Sequence, residues 1–229
     1  MDPRKRAVRL AARLTDRFGS PDIGRPDPVE ELVLTILSQN TSDTNRDRAF
    51  ASLLARFGSL DAVRAARVDT IGRAIRVGGL HRQKSERIRE VLRRIHRERG
   101  RLDLSFLGEM DLGAAMDWLL SSPGVGKKTA GIVMLFSFGR PYFPVDTHIC
   151  RVLTRVGLIE PARDAHDQAN ALLPKDTALM AALHLLIIRL GREICHPRKP
   201  DCPSCPIRTD CDWATSHPVS AADEGGKRQ

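Results

Sequence analysis

The sequence predicts an all-α protein, long enough for one generous domain or two small lobes, and three observations carry the helical expectation. Apolar residues recur at three- and four-residue steps over most of the chain, glycine and proline fall where helices must stop, and strand-like alternation is nearly absent. At 229 residues and 41% apolar content, the chain can bury a substantial core. Aromatic residues are only 4% of it, which suits an aliphatic helical interior better than a β-sandwich.

The elements follow in order. The basic stretch MDPRKRAVRLAARLTDRFG contains no continuous apolar run, so it reads as a helix and not as a secretion signal. In PVEELVLTILSQ, Val29, Leu32, Val33, Ile36 and Leu37 share one helical face, and Gln39, Asn40 and Thr41 stand at its end, where capping is their simplest role. Ile88, Val91, Leu92 and Ile95 do the same in SERIREVLRRIHRERG. Between and after these helices come RFGS twice, RVGGL, RERGRLDLS, SSPGVG and FGRPYFP, each with the Gly or Pro that separates helices. Only RLDLSF and RPYFPV look extended. A helix through Asp117, Trp118 and Leu119 stops at Ser121, Ser122 and Pro123, and another starts after Gly126. Asp146 stands directly before the apolar-periodic ICRVLTRVGL as its expected N-cap. The final SHPVSAADEGGKRQ reads as a frayed tail. No stretch reaches the roughly 18 consecutive apolar residues of a membrane helix, so an intracellular, cytoplasmic protein is expected.

Charge and local chemistry point to a partner. Lys and Arg outnumber Asp and Glu by 37 to 28, and the formal net charge of +9 favours a polyanion such as nucleic acid, with a solvated basic surface as the alternative. In PGVG, Gly124 and Gly126 flank Val125 in a turn whose amides, with those opening the next helix, can cradle a phosphate. The spacing is that of neither a P-loop nor a dinucleotide fingerprint. Lys127 and Lys128 occupy a first helical turn, where the macrodipole disfavours cations, so phosphate contact or chemistry must account for them. Adjacent helical positions diverge by about 100°, which leaves room for only one of the two lysines in any one pocket. Cys195, Cys202, Cys205 and Cys211 are separated by gaps of six, two and five residues. In a reducing compartment such a cluster is a metal site before it is a pair of disulfides, and four thiolates suit iron-sulfur or zinc. Cys150, beside Ile149 and Val152, reads as a core thiol.

Taken together, LSQNTSD, GGLHRQKSERI, PGVGKKTA, VDTH and the cysteine spacing resemble the endonuclease III branch of the helix-hairpin-helix DNA glycosylases, over about residues 28 to 213. The resemblance implies a helix-hairpin-helix glycosylase fold, with a central helical domain over 21–140 and a second lobe from 1–20 plus 141–229. It assigns the four cysteines to a [4Fe-4S] cluster; zinc is second choice, because zinc sites usually pair two short CxxC-like loops. Lys128 matches the family's nucleophile and Asp146 its aspartate. Leu80 matches a wedge residue, with His81 beside it where relatives carry an aromatic such as tyrosine. Asn40 takes the place of a gap-filling glutamine, with Gln39 one position earlier. The implied function is bifunctional: excision of oxidised pyrimidines such as thymine glycol from double-stranded damaged DNA, then strand cleavage 3′ to the abasic site by a monomeric, nucleoid-associated enzyme. The alternatives are uracil or mismatch excision, or a non-catalytic iron-sulfur DNA-binding module that would have no use for both Lys128 and Asp146.

Overall fold

The computed structural model describes residues 2–217. Helix α1, Pro3–Phe18, begins with Pro at its first position, and the Asp2 carboxylate accepts the Arg4 amide at 2.9 Å. The chain then forms two compact units, one spanning Gly24–Arg140 and one combining the residues up to Ile23 with those from Pro141 onward.

The Gly24–Arg140 unit holds seven helices among the described residues: α2 Pro28–Leu37, α3 Asp43–Phe57, α4 Leu60–Ala65, α5 Val68–Ala74, α6 His81–Arg99, α7 Leu112–Leu120 and α8 Lys127–Ile132. Asp27 caps α2 by accepting the amides of Val29 at 2.9 Å and Glu30 at 3.0 Å. The apolar stripes read from the sequence are the buried faces: Leu32, Val33, Ile36 and Leu37 on α2, and Ile88, Val91, Leu92 and Ile95 on α6, all fully excluded from solvent. Helix α6 packs on α4, α5 and α2, and α2 packs in turn on α3 and α8. The core is therefore aliphatic, and its stability comes from burying these side chains at about 1.5–3 kcal/mol each before the entropy of ordering them. Past Ile132, α8 widens into a π-helical turn over Val133–Ser137.

The other unit packs α1 on α11 (Thr177–Glu193) and α11 on α9 (Thr147–Val156), with α10 (Ala165–Leu172) between them in sequence and the short α12 (Asp212–Ser216) against α9. Asp210 is 9% exposed and lies between Arg9, 3.0 Å from Oδ1, and Arg13, 3.3 Å from Oδ2. Arg6 adds a hydrogen bond to the Asp210 carbonyl and an ion pair to Asp212. The carboxylate is buried while Arg9 and Arg13 reach it from the surface, and together with Arg6 they tie α1 to the segment that carries Cys211.

No strand forms among the described residues. Of the two stretches expected to be extended, RLDLSF instead closes into a 3-10 turn over Ser105–Gly108. The reason is local: the Asp103 carboxylate accepts the Ser105 amide at 2.8 Å, which folds the chain back within two residues. That amide, followed by the Arg101 guanidinium, lowers the Asp103 carboxyl to about 2. Residues 140–145 are irregular, and Asn170 clamps the middle of them by accepting the Phe143 amide at 2.7 Å and donating to its carbonyl at 3.0 Å. Of the terminal stretch expected to fray, Ser216 closes α12, and everything beyond His217 lies outside the described residues.

Candidate active site

The hairpin between α7 and α8 is a tight turn. The Ser122 carbonyl accepts the Val125 amide at 3.1 Å, and Gly124 takes φ +79°. A Cβ at Gly124 would lie 2.3 Å from Cδ of Arg87, so this position excludes a side chain on two counts. Val125 is buried and anchors the turn, which leaves only its backbone to face a ligand. Gly126 is exposed, and the amides that follow it open α8 without helical acceptors of their own.

Lys127 and Lys128 are both half-buried in the first turn of α8. The Lys128 ammonium lies 3.4 Å from the Ser38 hydroxyl, which itself donates to the Thr35 carbonyl at 2.8 Å and so offers Lys128 a lone pair. Glu31, Thr35 and Ser38 fall at helical steps of four and three and form one stripe of α2. Burial pushes the Glu31 carboxyl up, against the opposing pull of the Thr35 hydroxyl, donated at 3.3 Å, and the charges of Arg46 and Lys128. Lys128 therefore faces a polar stripe with a hydroxyl and, within electrostatic reach, a carboxyl that holds its proton more tightly than usual. A lysine near a group that can take its proton is the arrangement a nucleophilic amine needs.

Gln39 is committed inside the protein. Its amide donates to the Gly124 carbonyl at 3.0 Å and its oxygen accepts from Arg87 at 2.7 Å, so it joins the end of α2 to the hairpin turn. Asn40 is exposed with φ +52°, and Leu80 is 49% exposed with φ +46° just after Gly79. These are the only two non-glycine residues with positive φ among the described residues. Such strain is held in place by its surroundings and gathers at working sites. His81 follows, exposed, as the first residue of α6. Arg87, which organises both Gln39 and Gly124, escapes sequence reasoning because one more arginine on an Arg-rich helix carries no local signal.

In the other unit, Asp146 is the N-cap of α9 and accepts the Ile149 amide at 2.8 Å. Two residues on, His148 Nδ1 lies 3.1 Å from Arg151 Nη2, and Arg151 donates to the carbonyls of Cys195 at 3.0 Å and Gly191 at 2.8 Å. Cys150 is half-buried on the same helix.

Cys195, Cys202, Cys205 and Cys211 line one pocket, about 360 Å³ of empty space that is partly open to solvent, with Val152, Leu190, Ile194 and Ile207 as apolar walls. Burial, first, and the neighbouring sulfurs push the thiol of Cys205 up to about 11 and raise those of Cys202 and Cys211. Four thiolates in this space thus call for a cationic group to share. Donors already point at the sulfurs: Arg155 Nη1 lies 3.1 Å from Cys195 Sγ, and backbone amides of Ile207 and of Trp213 and Ala214 serve Cys205 and Cys211. Amide and guanidinium donors around cysteine sulfurs are what an iron-sulfur cluster requires of its protein. Four cysteines around one pocket with these donors suit either an iron-sulfur cluster or a zinc ion. Arg198 and Lys199, in the loop between the first two cysteines, are exposed.

Residues 33–175 match the family described as HhH-GPD superfamily base excision DNA repair protein. The chain is 32% identical over 207 residues to endonuclease III of Thermotoga maritima, covering 89% of this chain and 91% of that one. It is 35% identical over 185 residues to endonuclease III of Sulfolobus acidocaldarius, covering 80% of each. Among solved structures, a non-covalent endonuclease III-DNA complex superposes with a TM-score of 0.77 at 24% identity, over 93% of this chain and 97% of that one.

Proposed function

Starting from the fact that the chain belongs to the HhH-GPD superfamily and is an endonuclease III-like DNA glycosylase of base excision repair, we propose that it removes oxidised pyrimidines, thymine glycol among them, and then cleaves the strand. The observation that carries this reading is Lys128, half-buried at the hairpin helix and in contact with Ser38 on a stripe that also holds Glu31.

In the proposed reaction the neutral Lys128 amine attacks C1′ of the damaged nucleotide. The bond to the base breaks, and the base leaves with its electron pair and takes a proton. One of the amine's two protons passes to the ring oxygen as the C1′–O bond breaks and the sugar opens, and the other stays on the resulting protonated Schiff base, which acidifies C2′. Removal of a C2′ proton expels the 3′ phosphate, and water then releases Lys128 from the unsaturated sugar. Asp146 stabilises the positive charge that develops on the sugar as the base departs. Its carboxylate also caps α9, and the cap holds the group in one orientation.

A base inside a duplex cannot be reached, so it must be turned out at the expense of a few kcal/mol of stacking. Leu80 and Asn40, both at positive φ, carry the exposed side chains suited to enter the space left behind. His81 flanks the Leu80 wedge. The amides of Gly124 and Gly126 with Lys127 take a backbone phosphate, the Val125 amide being held by the Ser122 carbonyl inside the turn, and Gln39 steadies that turn. The protein acts as a monomer on double-stranded DNA. Cys195, Cys202, Cys205 and Cys211 would hold a [4Fe-4S] cluster. Bound there, the cluster supplies a rigid brace for the Cys195–Cys211 segment, whose exposed Arg198 and Lys199 add to the basic surface facing DNA.

The test is borohydride trapping on duplexes bearing thymine glycol, uracil or an abasic site, with wild type, Lys127→Ala and Lys128→Ala. Thymine glycol should trap wild type and Lys127→Ala but not Lys128→Ala. Trapping on the abasic site alone would reduce the reading to a lyase, and no trapping with no base release on any duplex would leave a binding module.

A further inference from the structure

Lys84 is 0% exposed. It sits on the face of α6 that otherwise carries Ile88, Val91, Leu92 and Ile95, where an ammonium has no business unless something holds it. Two carbonyls do: Nζ donates to Leu37 O and to Gly78 O, each at 2.7 Å. Burial alone lowers its pKa; no neighbouring carboxylate offsets it. The protein thus retains a desolvated cation where a methionine would fill the volume.

The two carbonyls explain why. Leu37 closes α2, and Gly78 closes the 3-10 turn Arg76–Gly78. Three residues beyond Leu37 stands Asn40, and two beyond Gly78 stands Leu80, the two non-glycine residues with positive φ among those described. Each of these residues therefore stands on a loop whose root is bonded to the same nitrogen.

We propose that Lys84 is a positioning residue for base eversion: by holding both loop roots on one ammonium it sets the separation of Asn40 from Leu80, so that both enter one gap in the duplex. The proposal rests on the function proposed above, since it needs a protein that turns a nucleotide out. Lys84 touches neither DNA nor the reacting atoms. Its influence should fall on steps that need eversion and spare those that do not.

The test compares wild type with Lys84→Met, which keeps the volume and loses the donors. Two single-turnover rates are read: excision of a paired lesion in duplex, and strand cleavage at a preformed abasic site in single-stranded DNA, where nothing must be everted. The expected result is a fall of at least about tenfold in the first and less than about twofold in the second, with the fluorescence rise of a 2-aminopurine placed opposite the lesion lost on binding. Adding Lys84→Met to the Asn40→Ala, Leu80→Ala double variant should then cost less than about twofold further, because residues acting through one another are non-additive. Equal falls on both substrates, no fall on either, or a full tenfold loss in the triple variant would each overturn the proposal by making Lys84 a general structural pin or a bystander. If Lys84→Met does not fold by thermal melting, Lys84→Gln, which keeps an N–H donor, is read on the same pair of substrates with the same criteria. A wild type that excises nothing overturns the proposed function and this assignment with it, whereas a wild type that excises beside a Lys84 variant with an unchanged duplex to single-strand ratio overturns the Lys84 assignment alone.

Discussion

Asp146 is asked to do two things at once, and two substitutions separate them. Its Oδ1 accepts the Ile149 amide at 2.8 Å and so satisfies one of the orphan donors at the start of α9. Asparagine caps a helix as well as aspartate does, while alanine forfeits about 1 kcal/mol, with a range of about 0.5–2. For a chain of 229 residues, each kcal/mol moves the melting temperature by about 2–4 °C. Asp146→Ala should therefore melt about 2–4 °C below wild type, and Asp146→Asn within about 1–2 °C, the residue being the lost attraction of a carboxylate for the helix N-terminus. Activity should not follow that order. Both variants lack the negative charge, so single-turnover excision should fall by about 10²–10³ in each, the size seen when one preorganised electrostatic partner is removed. Thermal melting and trapping on the same preparations make the comparison. Asp146→Asn with near wild-type excision would refute the electrostatic role, and Asp146→Asn melting as low as Asp146→Ala would show that the cap is not what this carboxylate gives the fold.

Gly124→Ala places a Cβ 2.3 Å from Cδ of Arg87 at φ +79°, so it should lose about 1–2 kcal/mol in backbone strain, shift Arg87 off Gln39, and weaken duplex binding by fluorescence anisotropy; unchanged affinity would remove the hairpin turn from the DNA contact. Glu31 has a folded pKa raised above its ordinary 4.5 by burial, so its contribution to stability is complete below that value and disappears as pH rises through the raised one. Glu31→Gln should accordingly melt above wild type at neutral pH, with the advantage vanishing on acidification; a Glu31→Gln that is less stable at neutral pH would mean that pairing with Lys128 and Arg46 outweighs desolvation. Purified protein should carry iron with the visible absorbance that a zinc site lacks, and replacing Cys205 by Ser should abolish that absorbance and lower the melting temperature; a colourless, zinc-loaded protein of full stability would overturn the cluster.

Periodicity made α2 and α6 legible because their burial is repeated every three or four residues, and the hairpin was legible because only glycine tolerates the backbone at Gly124. The same stripe that marks Ile88, Val91, Leu92 and Ile95 also contains position 84, yet a lysine there reads as an ordinary solvated charge until its two carbonyl partners are in view. Those partners lie 47 and 6 residues away, and no local pattern announces the first of them. Positive φ at Asn40 and Leu80 was equally hidden: asparagine visits that region readily, but leucine does so only when neighbours compel it. RLDLSF misled because its alternation suggests an extended segment, while one aspartate's preference for its own downstream amide decides the conformation.

The ties from Arg6 and Arg9 to Asp210 span 204 and 201 residues. During synthesis α1 leaves the ribosome well ahead of these partners and stays without them until the intervening chain has followed. Gly24–Arg140, being continuous in sequence, can complete its own core in that interval. This helix is therefore finished long after it is made, and the docking that completes it is a long-range closure, the kind of contact that forms slowly.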